Sequence, residues 1–167
     1  DEDLERAMME ATAARLREAG YRHYEISNYA KPGRESLHNV NYWLDGPYVG
    51  LGCGAAGHRR GVRTQNEDRL ASYLERVERG ELPIRHSERL RGKEKLGETL
   101  LLGLRLIDGV LPTEAARAAF GPALARLARR GLVESGEGRR LRLTREGVFL
   151  ANQAFQEFVP PFQEVRP

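Results

Sequence analysis

The sequence predicts a mixed fold, part α/β and part α+β, in a chain of 167 residues. At the N-terminal end, apolar residues at helical spacing over residues 3–19 lead through one glycine into an alternating segment at 21–26. This succession of helix and strand is typical of one α/β unit. The last third has the order helix, helix, hairpin, helix over about 113–158, which is typical of a small winged-helix-like domain.

The N-terminal helix and strand form a single α/β unit without a companion. Acidic residues in its first turn favour the helix, and Gly20 is expected to end it. Tyr21 to Ile26 alternate and are rich in aromatic and branched residues, which favours a strand. One helix–strand pair cannot bury its own apolar faces, so we expect it to be the last turn of a larger sheet that begins N-terminal to Asp1.

The middle of the chain is dominated by turn residues. From Ser27 to Gly61 we predict loops, with one short strand at Tyr48–Leu51. Helical spacing resumes at 67–79, where Gly80 ends it, and again at 92–106.

The last third supplies the winged-helix-like order. Thr113 is expected to cap a helix that runs to Phe120, and a second helix is expected over 121–130. Residues 132–134 and 139–143 read as two strands about a glycine turn, and Thr144 caps a final helix over 146–158. We therefore predict two domains, residues 1–64 and residues 65–167.

Composition limits the classes of function. Lys and Arg number 27 against 24 Asp and Glu, and they alternate, so charge alone does not predict nucleic-acid binding. The longest apolar stretches are a few residues, well short of a membrane-spanning helix, and the acidic N-terminus does not resemble a signal peptide. A cytoplasmic location is expected. The single cysteine, Cys53, excludes an internal disulfide and a multi-cysteine metal site within the chain.

A cluster of aromatic and polar side chains lies at residues 38–43. The imidazole of His38 can ligate a metal or accept a proton, and Tyr42 and Trp43 offer flat faces for a planar ligand. Asn39 adds hydrogen-bonding groups beside them. Such a set suits a porphyrin or nucleoside pocket. Core packing of the two aromatic residues with His38 in a hydrogen-bonded loop explains the same residues.

Glycines at positions 50, 52 and 54 form the second cluster. They allow backbone amides to approach a ligand closely, but the pattern does not complete G-x-G-x-x-G. A tight turn at the end of a strand explains it equally well. Cys53 within this loop is interpreted as a small apolar filler rather than a thiolate ligand.

Four segments together resemble one known family. They are Y-E-I-S-N-Y-A at 24–30, H-N-V-N-Y-W at 38–43, G-L-G-C-G-A at 50–55 and L-L-G-L-R-L at 101–106. In order and spacing they resemble the oxygen-independent coproporphyrinogen III oxidase-like radical-SAM proteins, and the H-N-x-x-Y-W form resembles the haem-chaperone branch. The resemblance covers about residues 1–158 and implies the terminal elements of an incomplete (β/α) radical-SAM barrel.

The resemblance also implies site residues and ligands. It assigns haem handling to one set of residues: His38, Asn39, Tyr42 and Trp43. It assigns the S-adenosylmethionine cavity to a second set: Glu25, Ser27, Gly50, Gly52, Cys53, Gly54 and Ala55. The implied cofactors are S-adenosylmethionine and a [4Fe–4S] cluster, with haem or porphyrin as the ligand. The implied partners are the missing N-terminal barrel and a haem-acceptor protein.

Two departures from the family limit this resemblance. Relatives place His and Ser directly after G-x-G-x-G-A, whereas Ala56 and Gly57 precede His58 in this chain. More importantly, the family's cluster needs three cysteines at C-x3-C-x2-C, and one cysteine cannot supply three thiolates. We therefore expect a C-terminal portion of a protein that resembles a coproporphyrinogen dehydrogenase-like oxidoreductase. This chain alone is expected to be inactive, with no catalytic residue and no cluster ligand.

Two alternatives stay open. One is a winged-helix module at 112–158 that binds nucleic acid or docks a protein, favoured by arginines around its second helix and wing: Arg126, Arg129, Arg130, Arg139, Arg140, Arg142 and Arg145. Interspersed acidic residues argue against nucleic acid as a partner. The other is a portion of a true coproporphyrinogen decarboxylase.

Overall fold

The structure is a computed structural model that describes residues 1–162. It has two compact units. One combines Asp1–Asp45 with the chain from Lys93 onward, and the other is Gly46–Gly92. The predicted domain boundary after residue 64 stays a prediction. Within the described residues, no helix is both long enough and apolar enough to cross a membrane.

The first unit begins with the predicted helix and strand. Helix α1, Glu2–Glu18, starts at Asp1, whose carboxylate accepts hydrogen bonds from two backbone amides of the first turn at 3.1 and 3.3 Å. It ends at Gly20, whose φ of 78° is the left-handed conformation that terminates helices. Strand β1, Arg22–Glu25, then pairs antiparallel with strand β2, Asn28–Ala30.

Helix α1 leaves its apolar side chains uncovered. No described residue of α1 is buried, and Leu4 and Met8 are 59% and 62% exposed. The other edge of β1 is paired, since the amide of Ile26 donates to Arg105 and that of Ile107 donates to Tyr24, both at 3.1 Å. The expectation that this helix–strand pair cannot bury its own apolar faces therefore matches the exposure of α1.

The prediction of loops from Ser27 to Gly61 was wrong for three segments. Besides β2, it missed helix α2, Leu37–Trp43, and strand β3, Ala56–Arg59. Helix α2 is capped by Ser36, whose hydroxyl accepts from the amide of Asn39 at 3.4 Å. No residue of α2 is buried. Turn residues lie on both sides of it, at Pro32-Gly33 and Asp45-Gly46, so the sequence indicated a loop although Leu37 and Val40 have helical spacing.

The second unit is an antiparallel sheet in the order β3-β4-β5, where β4 is Val62–Asn66 and β5 is Ile84–Glu88. Helix α3, Leu70–Glu78, lies between β4 and β5 in the chain and matches the helix predicted at 67–79. The predicted strand at 48–51 is reduced to one bridge between Tyr48 and His58.

As far as residue 162, the remainder of the first unit holds four α-helices and a hairpin. They are α4 (Gly92–Gly103), α5 (Glu114–Arg129), β6 (Val133–Ser135), β7 (Leu141–Leu143), α6 (Arg145–Phe149) and α7 (Ala151–Phe155). The hairpin and both threonine caps are as predicted: the Thr113 hydroxyl accepts from an amide of α5 at 3.1 Å, and Thr144 does the same for α6 at 2.9 Å.

Two helix boundaries in this part differ from the prediction. Helix α5 continues through Pro122, where the sequence predicted two helices. Phe120, Ala123 and Leu127 are buried on one face and Pro122 is exposed. The buried face therefore continues across the proline, even though Pro122 cannot donate the helical hydrogen bond to residue 118. The predicted final helix is interrupted at Leu150 (φ −105°, ψ 26°), which separates α6 from α7.

The main cluster of buried apolar residues lies in this C-terminal part of the first unit. It comprises Leu100, Leu104, Ala116, Phe120, Ala123, Leu127, Leu132, Val133, Leu141, Leu143, Ala151, Ala154, Phe155 and Phe158. The mixed α/β and α+β class is confirmed, and none of the three small sheets formed by the described residues closes into a barrel. The winged-helix designation stays a prediction.

Candidate functional site

Glu25 is the most deeply buried charged residue of the predicted site. Its side chain is 0% exposed, and both carboxylate oxygens are engaged. Oε1 accepts from the Nε of Arg105 at 2.9 Å, and Oε2 accepts from the amide of Ser27 at 3.0 Å and the side-chain nitrogen of Asn28 at 2.6 Å. The protein itself thus fully satisfies this carboxylate, which fixes the β1–β2 turn to the segment after α4.

Arg105 joins this carboxylate to the aromatic cluster. Its guanidinium lies 4.4 Å from the centre of the Trp43 ring, a cation–π contact. One face of the indole is therefore covered, and a planar ligand could stack only on the other. The Trp43 Nε1–H is buried and has no acceptor within residues 1–162, so this donor is available to a group outside the described chain.

His38 and Tyr42 lie one turn apart on α2 and contact each other. The Tyr42 hydroxyl is 2.5 Å from the His38 Nε2, and the two rings meet edge to face with centroids 4.6 Å apart. His38 is exposed, while Asn39, Tyr42 and Trp43 are half-buried. The structure therefore brings the four predicted haem residues onto one short helix, with the His38 side chain exposed and its Nε2 engaged by Tyr42.

The predicted S-adenosylmethionine residues fall in two units. Glu25 and Ser27 belong to the first unit, and residues 50–55 to the second. In the second unit, the conformation of the loop at residues 50–55 is sufficient to explain its glycines. A Cβ on Gly50 would stand 2.3 Å from the Ala56 carbonyl oxygen, and Gly52 and Gly54 have φ of 100° and 67°. Turn geometry thus requires these glycines whether or not a ligand binds.

Asn66 holds this loop in place, a role that the sequence analysis missed. It is buried, and its side-chain nitrogen donates to the carbonyl oxygens of Gly50 at 3.1 Å and Gly52 at 3.0 Å. Its backbone amide also donates to Ala55 at 2.9 Å. An asparagine at a strand end carries no sequence signal for such a role.

We expect Asn66→Ala to loosen the loop selectively. Losing both side-chain bonds leaves two carbonyl oxygens without their donor, at a cost of about 1–3 kcal/mol. Amide hydrogen exchange at Gly54 should accelerate by one to two orders of magnitude. Thr64→Ala, on the same strand, is the control and should leave that rate within twofold. Equal exchange in the two variants would contradict the assignment.

The residues present do not fit the iron–sulfur cluster. No group of three or more His, Cys, Asp or Glu side chains among residues 1–162 is arranged to hold a metal. Cys53 is exposed, so its interpretation as a small apolar filler was wrong: the loop turns its side chain to solvent. Any cluster chemistry would need ligands from other polypeptide.

His58 has a structural environment in the second unit. It is 9% exposed, its Nδ1 lies 3.2 Å from the Gly46 carbonyl oxygen, and its ring meets Tyr48 edge to face at 6.1 Å. Because two residues separate it from the glycine loop, His58 lies on strand β3 and not directly after the loop.

Most arginines that favoured a nucleic-acid interface are engaged within the protein. Arg126 pairs with Glu157 and Arg142 with Glu134, the latter at 2.7 Å. Arg140 donates to the carbonyl oxygen of Gly109 at 2.8 Å. Guanidinium groups held in this way are less available to phosphate groups.

Comparison with known proteins gives a consistent result. No family model matches the chain. It is 33% identical over 165 residues to the haem chaperone HemW of Bacillus subtilis, a match that covers 95% of this chain and 43% of the relative. It is 35% identical over 152 residues to HemW of Mycobacterium tuberculosis, covering 91% of this chain and 38% of that protein. A stretch of 42 residues is 60% identical to HemW of Escherichia coli, covering 25% of this chain and 11% of that protein.

The fold also resembles a solved structure. Coproporphyrinogen III oxidase (HemN) from Escherichia coli, described as a radical SAM enzyme, matches with a TM-score of 0.69 at 18% identity. That match covers 91% of this chain and 40% of HemN, and it supports the fold alone. The fold and the aligned segments define a chain of the HemN-like radical-SAM class.

Within that class, the chain belongs to the HemW haem-chaperone family, and the residue-based recognition of this branch is confirmed. The chain spans less than half the length of these relatives.

Proposed function

We propose that this chain is the C-terminal portion of a HemW-like haem chaperone and that helix α2 provides its contact with haem. The observation that carries the proposal is the exposed imidazole of His38, placed beside Tyr42 and Trp43 on one helix. An imidazole supplies a ligand for haem iron, and flat aromatic rings supply contact area for the macrocycle. Asn39, half-buried on α2, would add polar contacts at its edge.

The Glu25–Arg105 pair supports this role by positioning Trp43. The buried carboxylate of Glu25 holds Arg105 in place, and Arg105 stacks on the indole of Trp43. The pair therefore restricts the orientation of the Trp43 ring. A ring held in one orientation loses less side-chain entropy when a ligand packs on its open face. Haem would be the cargo of such a chaperone, which would bind it without changing it chemically.

S-adenosylmethionine and the cluster belong to the proposed complete protein. In such a protein S-adenosylmethionine bound to a [4Fe–4S] cluster would supply radical chemistry. We propose that residues 50–55 contribute backbone groups near S-adenosylmethionine and that the cysteine ligands come from a barrel absent from this chain. Residues 1–64 would be the barrel portion, and residues 65–167 a winged-helix-like domain.

The exposed face of α1 favours a further polypeptide as partner. Leu4 and Met8 lie one turn apart on that face and are both more than half exposed. Large apolar side chains in such an arrangement are typical of an interface. We propose that the part of the barrel absent from this chain covers them. We also propose that the complete protein is cytoplasmic and delivers haem to an acceptor protein.

Hemin titration tests the proposal. We expect the 167-residue chain to bind hemin weakly, with a Soret shift in the visible spectrum. His38→Ala should lower the affinity at least fivefold and change the Soret position, because an axial ligand is lost. His86→Ala, an equally exposed histidine on β5, is the control and should behave as the parent chain.

An unchanged Soret spectrum and affinity in the His38→Ala chain would remove His38 as a ligand. The nucleic-acid alternative has no comparable support, since no contact of the described residues favours it.

A further inference from the structure

A cavity lies in the first unit, and no residue of helix α2 lines it. It has a volume of about 470 Å³ and is bordered by α1, the β1–β2 hairpin, the β6–β7 hairpin and α6. Its floor is aliphatic and aromatic, formed by Met9, Ile26, Ile107, Val148 and Phe149. A cavity of this size, lined by both apolar and polar residues, is in the range of small-molecule sites.

Three arginines at its mouth differ in their pairing. Arg142 contacts Glu134 at 2.7 Å, and Arg145 contacts Glu10 at 2.9 Å, so each pairs with a carboxylate of the cavity lining. Arg17 also lines the cavity, but no carboxylate within residues 1–162 pairs with it. The lining therefore carries one uncompensated positive charge at the edge of an apolar floor.

The cavity lining also contains two stacked rings. His23 and Tyr29 stack in parallel there, with centroids 4.2 Å apart and an interplanar angle of 10°. Burial raises the pKa of Tyr29, so its hydroxyl stays neutral at neutral pH and does not compete for Arg17. An anionic head group at Arg17 would meet no repelling charge from this stack.

We propose that this cavity binds a small amphiphilic carboxylate, with its apolar body on the floor and its carboxylate on Arg17. A bidentate guanidinium–carboxylate contact would fix the head group, while apolar burial would supply most of the affinity. The site is separate from helix α2, so it does not depend on the proposed contact with haem.

Calorimetric titration with decanoate, below its micelle concentration, tests the proposal. Saturable binding is expected, weakening as NaCl is raised, and decylammonium should bind at least tenfold more weakly. Arg17→Ala should weaken decanoate binding about tenfold, as expected for a charged hydrogen bond. Arg15→Ala is the matched control: it is also an exposed arginine in the last turn of α1 but does not line the cavity, and it should bind as the parent chain.

A second variant tests whether decanoate binds in this cavity, by filling the cavity with a larger side chain. Ala13 lines the cavity, and Ala13→Phe should fill it and abolish binding while the circular-dichroism melting curve stays that of a folded chain. Equal effects of Arg17→Ala and Arg15→Ala, or equal affinities for decanoate and decylammonium, would overturn the anion site. Undiminished decanoate binding in a folded Ala13→Phe chain would overturn its placement in this cavity.

Discussion

Glu25→Gln is expected to lower the free energy of unfolding by about 3–5 kcal/mol, as for the breaking of a buried ion pair. Both oxygens of Glu25 receive donors: Arg105 on one, and Ser27 and Asn28 on the other. The amide nitrogen of glutamine would face a donor in either orientation. The substitution therefore removes the charge and also places two donors against each other.

Urea titration followed by circular dichroism measures this effect. Glu134→Gln is the matched control, because it removes the carboxylate of an ion pair whose side chains are both nearly half exposed. Exposed pairs of this kind contribute about 0–1 kcal/mol. If the two variants had the same urea midpoint, the buried carboxylate would not be the anchor that we infer.

The second large effect is expected for Gly109→Ala, which should destabilise the protein by about 3 kcal/mol through overpacking and backbone strain. The Cβ would stand 2.1 Å from the Leu141 carbonyl oxygen and 2.7 Å from the Cβ of Arg142. Gly109 also has a φ of 71°, which L-residues adopt at a cost. The chain must therefore shift where residues 109–110 run beside β7.

Gly131→Ala separates the cost of overpacking from the cost of backbone strain. Its φ of 69° is nearly the same, but nothing lies within 4 Å of the added Cβ. The control should lose about 1 kcal/mol from conformation alone. Equal urea midpoints for the two variants would show that the close approach at Leu141 does not constrain the fold.

Local signals predicted the parts of the fold that local chemistry determines. Gly20 ends α1, and Thr113 and Thr144 cap α5 and α6, because each of these residues acts within a few positions of itself. Helix α2 was missed because the turn residues on both sides of it indicated a loop, and it buries no residue that would strengthen the helical pattern. Helix α5 was divided wrongly because the effect of Pro122 depends on which face is exposed, and that is decided by tertiary packing.

The candidate site was predictable only in its residue types. The sequence drew attention to His38, Tyr42 and Trp43, but the contact of Glu25 with Arg105 joins residues 80 positions apart, and no pattern in either segment indicates it. The role of Asn66 and the cavity beside Arg17 likewise depend on contacts between distant segments.

The stacking of Arg105 on Trp43 has a practical consequence. Trp43 is the single tryptophan of the sequence, so all indole emission of the chain originates from one ring. That ring has a charged group on one face and a buried N–H without an acceptor among residues 1–162. Its emission maximum and quenching by iodide thus provide an intrinsic optical reporter for the first unit, without any added label.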